Sequence, residues 1–187
     1  MYDVSELRKG LKIEIDGAPY EITDFSFAKP GKGQAIYRCK LRNLLTGSTQ
    51  DKTYRSGDKV DQPSLAQRDL IYSYQEGEHY VFMEKETYEQ VMVEADVLKE
   101  QHWFLIEDMD VKVLFFNDKA IEVTLPNFIE KKVVETEPGA RGDTATNVTK
   151  PAKLDNGYEI QVPIFINEGD VIRIDTRDGS YNGRVNA

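Results

Sequence analysis

Leu11-Lys12-Ile13-Glu14-Ile15-Asp16-Gly17 alternates apolar and charged side chains and then halts at an Asp-Gly pair. Alternation with period two puts Leu11, Ile13 and Ile15 on one face of a strand, with Lys12 and Glu14 on the other. Asp-Gly is a hairpin turn signal. The same grammar continues on the C-terminal side. Tyr20 to Phe27 is β-rich, a loop of Lys, Pro, Gly and Gln follows, and Ala35 to Leu44 returns with Ile36, Tyr37, Cys39 and Leu41. Thr46-Gly47 and Ser56-Gly57-Asp58 punctuate further short strands. Four or five strands joined by tight turns within about 60 residues predict a small β-barrel.

The rest of the 187 residues repeats the pattern. Leu70–Tyr74 and His79–Met83 flank Gln75-Glu76-Gly77-Glu78, and Val111–Phe116 and Ala120–Leu125 flank Asn117-Asp118-Lys119. Both pairs read as hairpins. Ala95 to Glu100 is the one short helix expected. After Pro126, strands are expected over Lys131–Glu135, Tyr158–Val162 and Val171–Asp175, with turns at Asp155-Asn156-Gly157, Asn167-Glu168-Gly169-Asp170 and Asp178-Gly179. A long turn-rich stretch is expected from Glu137 to Gly157. The chain therefore reads as all-β, with three consecutive small barrels over residues 1–63, 64–127 and 128–187. Units of roughly 60 residues lie near the lower practical size for independent folding.

Charge separates these segments. The whole chain has a net charge of -9, but residues 1–63 hold eleven cations against nine acids. Residues 64–127 hold five against fourteen, and residues 128–187 eight against ten. From Phe25 to Gln50 there is no acid, whereas Lys29, Lys32, Arg38, Lys40 and Arg42 supply five cations. An acid-free run of this length points to an anionic partner at one end of the molecule.

Other chemistries find little support. A single cysteine, Cys39, excludes an internal disulfide and a multi-cysteine zinc site. Two histidines, His79 and His102, come with no partner set for catalysis; His79 reads as a structural residue and His102, beside Trp103-Phe104, as the edge of a core or a joint. No catalytic residue, metal site or cofactor is expected. No apolar run reaches the roughly 18 to 20 residues of a membrane helix, and Met1-Tyr2-Asp3-Val4-Ser5-Glu6 lacks the order of a signal peptide. A cytoplasmic, monomeric protein without membrane contact is expected.

Lys29-Pro30-Gly31-Lys32-Gly33-Gln34-Ala35 carries the most chemical information. Proline restricts entry to the turn and glycine permits positive φ, so the chain can reverse around Lys32. A lysine between two glycines has no adjacent side chain to pack on and should project into water. It can serve as a probe for a phosphate or as a modification target; it can equally be a solubilising residue on an ordinary hairpin. A phosphate-binding P-loop is a poor fit, because Gln34 and a strand follow instead of Lys-Ser/Thr and a helix.

With this loop, the whole chain resembles bacterial elongation factor P. The resemblance runs through Gly10-Leu11-Lys12, Lys29–Ala35, Lys40-Leu41-Arg42-Asn43-Leu44-Leu45-Thr46-Gly47 and Tyr80-Val81-Phe82-Met83. It continues through Glu137-Pro138-Gly139, Gly142-Asp143-Thr144-Ala145, Thr149-Lys150-Pro151-Ala152 and the terminal Tyr181 and Arg184. The resemblance implies an SH3-like (KOW) first barrel and two OB-type barrels in an L-shaped arrangement that imitates a tRNA. It also implies a non-enzymatic factor binding the ribosome between the P and E sites, in contact with rRNA and the P-site tRNA, and relieving stalls at consecutive prolines.

On that resemblance Lys32 would reach the tRNA acceptor end and be the substrate of a lysine-modifying enzyme. Lys29, Pro30, Gly31, Gly33 and Gln34 would shape its loop, and Arg38, Lys40 and Arg42 would face RNA. Gly142, Asp143 and Thr144 would lie in a loop approaching the E-site codon, although Thr146-Asn147-Val148 stands where more glycine is expected. Tyr181 and Arg184 would sit near the P-site tRNA. A competing class is an OB/KOW RNA-binding chaperone acting off the ribosome, which would expose several aromatics among basic residues.

Overall fold

The computed structural model describes residues 1–139 and 148–185. Sixteen strands among them run β1 (Tyr2–Asp3), β2 (Lys12–Ile15), β3 (Ala18–Ala28), β4 (Ile36–Asn43), β5 (Thr49–Arg55), β6 (Lys59–Val60), β7 (Leu65–Glu76) and β8 (His79–Glu84). They continue as β9 (Gln90–Glu94), β10 (Asp110–Phe116), β11 (Lys119–Thr124), β12 (Phe128–Thr136), β13 (Thr149–Leu154), β14 (Glu159–Pro163), β15 (Val171–Asp175) and β16 (Ser180–Val185). Short helical turns make up the remainder of the regular structure, so the all-β expectation holds. Two compact units emerge: residues 1–68 with 113–123, and residues 69–112 with 124–187.

In the first unit, β2-β3-β4-β5 form an antiparallel meander and β1 pairs with β6. Alternation explains the layering. Ile13 on β2, Ile22 on β3 and Leu41 on β4 are fully buried, with Ile22 directly opposite Leu41. Val4, Leu7, Cys39, Tyr54 and Val60 complete that core. Each such aliphatic side chain contributes about 1.5–3 kcal/mol by leaving water. Cys39 is a small buried hydrophobe, and burial pushes its thiol pKa up. At Asn117 and Asp118, between β10 and β11, both residues are left-handed, as a type I′ hairpin turn requires.

In the second unit β7, β8 and β9 form a meander whose first turn is the tight pair Gly77-Glu78. The helix expected over Ala95–Glu100 is shorter: α1 covers Ala95–Leu98, Lys99 turns left-handed at φ +52, and a 3-10 segment carries on to Phe104. His79 lies exposed at the start of β8 instead of being a packed structural residue.

The last sheet runs β14-β13-β12-β15-β16 around Ile129, Val133, Leu154, Val162, Ile172 and Ile174. Here β13 corrects the expectation of a long turn-rich stretch to Gly157. Lys150, Ala152 and Leu154 alternate inward, and the Lys150 ammonium donates to the carbonyl of Glu137. Pro151 is tolerated because β12 pairing has ended at Thr136 opposite Ala152, leaving that flank of Pro151 off the ladder. β16 was likewise not legible as a strand.

Candidate functional site

The β3–β4 hairpin stays paired up to Ala28 and Ile36, and Lys29–Ala35 cross between the strands. One pair below the loop, Phe27 and Tyr37 face each other with ring centroids 5.0 Å apart, and Phe25 packs on the same tyrosine at 6.2 Å. These contacts clasp the hairpin. The far strand is held as well, since the amide of Ser56 donates to the carbonyl of Ala35 at 3.1 Å.

Above the clasp, Lys29, Pro30, Gly31, Lys32, Gly33 and Gln34 are all exposed. Gly33 supplies the reversal, with φ +136. A Cβ there would meet only Pro30 Cγ at an ordinary 3.7 Å, so the requirement is for the dihedral and not for space. Gly31 has no positive φ and open space around it. Among the described residues Lys32 has no hydrogen-bond or ion-pair partner. Its side chain is free for a partner.

Arg38, Lys40 and Arg42 share the outer face of β4, alternating with buried Cys39, Leu41 and Asn43. Register decides how far each is neutralised. Arg42 stands opposite Glu21 and pairs with it at 2.6 Å. Lys40 stands between Asp24 and Asp51, and Arg38 between Ser26 and Thr53, which carry no charge. Uncompensated positive charge therefore rises along the strand toward Lys29 and Lys32. Lys52 on β5 lies over the Tyr54 ring at 5.2 Å.

Tyr181 and Arg184 lie on β16, which bulges against β15 between Arg173 and Ile174. The Arg184 guanidinium sits 5.4 Å from the Phe165 ring centroid and 3.9 Å from an Asp170 carboxylate oxygen. Phe165 is exposed and carries no sequence motif that would mark it. Tyr181 is half-buried, and that burial raises its phenol pKa. Gly142, Asp143 and Thr144 fall outside the described residues. Among the described residues no cluster of His, Cys, Asp or Glu could hold a metal, and no helix is long and apolar enough to cross a membrane.

The arrangement presents a flexible primary amine at the end of a braced, cationic hairpin, with a separate arginine–aromatic site on β16. Three family models match this chain in succession: "Elongation factor P (EF-P) KOW-like domain" over residues 3–60, "Elongation factor P (EF-P) OB domain" over 65–123, and "Elongation factor P, C-terminal" over 129–184. The chain is 52% identical over 186 residues to elongation factor P of Desulforapulum autotrophicum, covering 100% of both chains. It is 49% identical to elongation factor P 2 of Geobacter sulfurreducens, covering 99% of both. Among solved structures, a eukaryotic translation initiation factor 5A from Methanococcus jannaschii superposes with a TM-score of 0.58 at 25% identity, covering 66% of this chain and 91% of that one. Full-length matches of this strength, on a chain whose first barrel carries an exposed lysine at the tip of a cationic hairpin, place it in the elongation factor P family of translation factors.

Proposed function

We propose that this protein binds the ribosome between the P and E sites and promotes peptide bond formation at consecutive prolines by positioning the acceptor end of the P-site tRNA. The observation that carries this reading is Lys32, exposed and unpartnered at the apex of the β3–β4 hairpin. Proline constrains the nascent chain and places the reacting ends poorly. A factor that steadies one of them contributes orientation, an entropic term, and no covalent step of its own. The cations Arg38, Lys40, Lys29 and Lys32 would meet phosphates, which position without reading sequence.

The same reading makes Lys32 the substrate of a lysine-modifying enzyme, because extension of an unencumbered amine adds reach and donors. It takes residues 1–63, 64–127 and 128–187 as three functional bodies in a cytoplasmic monomer. Tyr181 and Arg184, with Gly142, Asp143 and Thr144, make tRNA and ribosome contacts in the C-terminal segment. An RNA chaperone acting off the ribosome is a weaker fit, since of the aromatics near the cations Phe25 and Tyr37 are partly buried against the core and Phe27 alone is largely exposed.

Reconstituted translation of a triple-proline template beside a proline-free one tests the reading. Relief of stalling on the first alone is expected. Equal stimulation of both templates would overturn it.

A further inference from the structure

Arg8, Lys9 and Lys12 line an open cleft of about 450 Å³ whose walls also include Tyr2, Gln62 and Pro63, and no carboxylate lines it. Among the described residues none of the three cations has an ion-pair partner. Of the nearby acids, Asp3, Glu6 and Glu21 are already engaged, while Glu14 on β2 and Asp61 beside Gln62 line no part of the cleft. Asp3 accepts from the Ser5 amide at 3.0 Å and from the Lys59 ammonium at 3.0 Å, and Glu6 accepts from the Asp3 amide at 2.8 Å. Glu21, directly across the sheet from Lys12, is taken by Arg42. In a chain with a net charge of -9, three adjacent cations without an ion-pair partner, in a cleft that no carboxylate lines, attract an anion from outside.

The site is also braced. The Gly10 amide, in a left-handed turn at φ +89, donates to the carbonyl of buried Ile22 at 2.7 Å. The Ile22 amide returns a bond to the Leu11 carbonyl at 2.9 Å, and Leu11 closes the turn onto Arg8. The turn presenting Arg8 and Lys9 is thereby tied to the core. Lys12 is level with Glu21 on β3, seven residues from Ala28 where the tip loop begins, or about 23 Å of extended strand. The cleft is therefore a different place from the hairpin tip.

We infer that the Arg8–Lys9–Lys12 cleft is a second polyanion site that grips the phosphate backbone of RNA. The inference rests on the reading of this chain as an RNA-contacting translation factor and adds to it a contact that neither Lys32 nor β4 can make. Two flexible ammonium groups and one guanidinium spread along an open turn suit successive phosphates. Gln62 and the half-buried Tyr2 offer an amide and a ring edge to sugars.

The test uses the full-length protein and the Arg8→Gln/Lys9→Gln/Lys12→Gln variant, with a short RNA hairpin followed by fluorescence anisotropy across a salt series. Removal of three phosphate contacts should lower the slope of log K against log salt by about 2 to 3, with at least a tenfold loss of affinity at low salt. An unchanged slope and affinity overturn the site. Should the triple variant melt early, Arg8→Gln/Lys9→Gln, which alters only exposed residues, replaces it, with a slope change of about 2 expected and an unchanged slope again overturning the site. Inorganic pyrophosphate is the second arm. If it binds the native cleft as tightly as the hairpin does, the RNA assignment falls and a free phosphate compound takes its place. The triple-proline assay on the native protein separates the two failures. Normal proline rescue with a variant that binds RNA as the native protein does removes the cleft and leaves the reading intact. Slope loss without any proline rescue keeps the cleft and removes the reading.

Discussion

The Tyr158 hydroxyl donates to the Gly179 carbonyl at 3.1 Å, and a Cβ at Gly179 would lie 2.5 Å from that same hydroxyl oxygen. Gly179 is also left-handed at φ +75, and its added carbon would approach Phe104 Cζ to 3.1 Å. Tyr158 meets Phe104 edge-on with centroids 5.2 Å apart and lies 5.8 Å from Trp103. His102 and Tyr80 extend the aromatic line at 4.4 and 6.3 Å.

Gly179→Ala therefore meets both a dihedral and a steric obstacle and should cost about 1–3 kcal/mol. Tyr158→Phe should cost about 1 kcal/mol through the lost hydrogen bond. The double variant should be more stable than the sum of the two, because the clashing oxygen has gone. Chemical denaturation followed by Trp103 fluorescence reads all three. Strict additivity would mean that the two residues do not communicate.

Lys32 should matter through its side chain and not through the fold. Lys32→Ala should shift stability by less than about 0.5 kcal/mol and remove most proline rescue. Lys29→Ala should do less, since it offers only general attraction to phosphate. Lys32→Arg keeps the charge but loses the primary amine. A thermal melt beside the triple-proline assay compares all three; full rescue by Lys32→Ala would leave the tip lysine a solubilising residue.

Tyr37→Ala removes both rings' common partner beneath the tip. An aromatic pair contributes about 0.5–1.5 kcal/mol beyond area, and both pairs are lost here. Hydrogen exchange at the Ala28 and Ile36 amides should accelerate, and proline rescue should fall although every cation is retained. Unchanged exchange would show that the clasp does not brace the loop.

The Asp3 carboxyl is held at about 2, below its ordinary 3.8, by the Ser5 amide first and by the Lys59 ammonium and Ser5 hydroxyl after it. Folding depresses this pKa, so the stabilisation is complete above 3.8 and is lost as pH falls through about 2. An NMR titration should place the Asp3 midpoint near the lower value. Lys59→Ala should move it part of the way up, because the Ser5 amide remains; no movement would remove Lys59 as a cause.

Arg184→Ala takes away the guanidinium over Phe165 and the long contact to Asp170. Exposed pairs of this kind contribute about 0–1 kcal/mol, so the melt should hardly move. Ribosome affinity should weaken. Wild-type affinity with normal proline rescue would take Arg184 out of the site.

Local signals were legible in the sequence where they were self-contained. Ile13, Ile15 and their charged neighbours announced β2, and Pro30, Gly31 and Gly33 announced an exposed Lys32. β13 hid because Lys150 and Pro151 look loop-like; burial of the lysine stem and the end of β12 pairing make a strand possible there. β16 hid behind Asn182 and Gly183, whose bulge breaks the alternation. The helical run to Phe104 depended on a left-handed Lys99, which no residue type there signals. The neutralisation of Arg42 and the freedom of Arg38 were unreadable, because cross-strand register chooses each cation's neighbour.

The Phe27–Tyr37 clasp divides the hairpin into a part the core notices and a part it does not. Lys29 to Gln34 hang in water on a fixed base, so an adduct on the Lys32 amine displaces no packed atom and breaks no ladder bond. The folding free energy is consequently blind to the chemistry carried there. A tip of this construction can be lengthened, recharged or left bare after the chain has folded, and activity alone registers the difference.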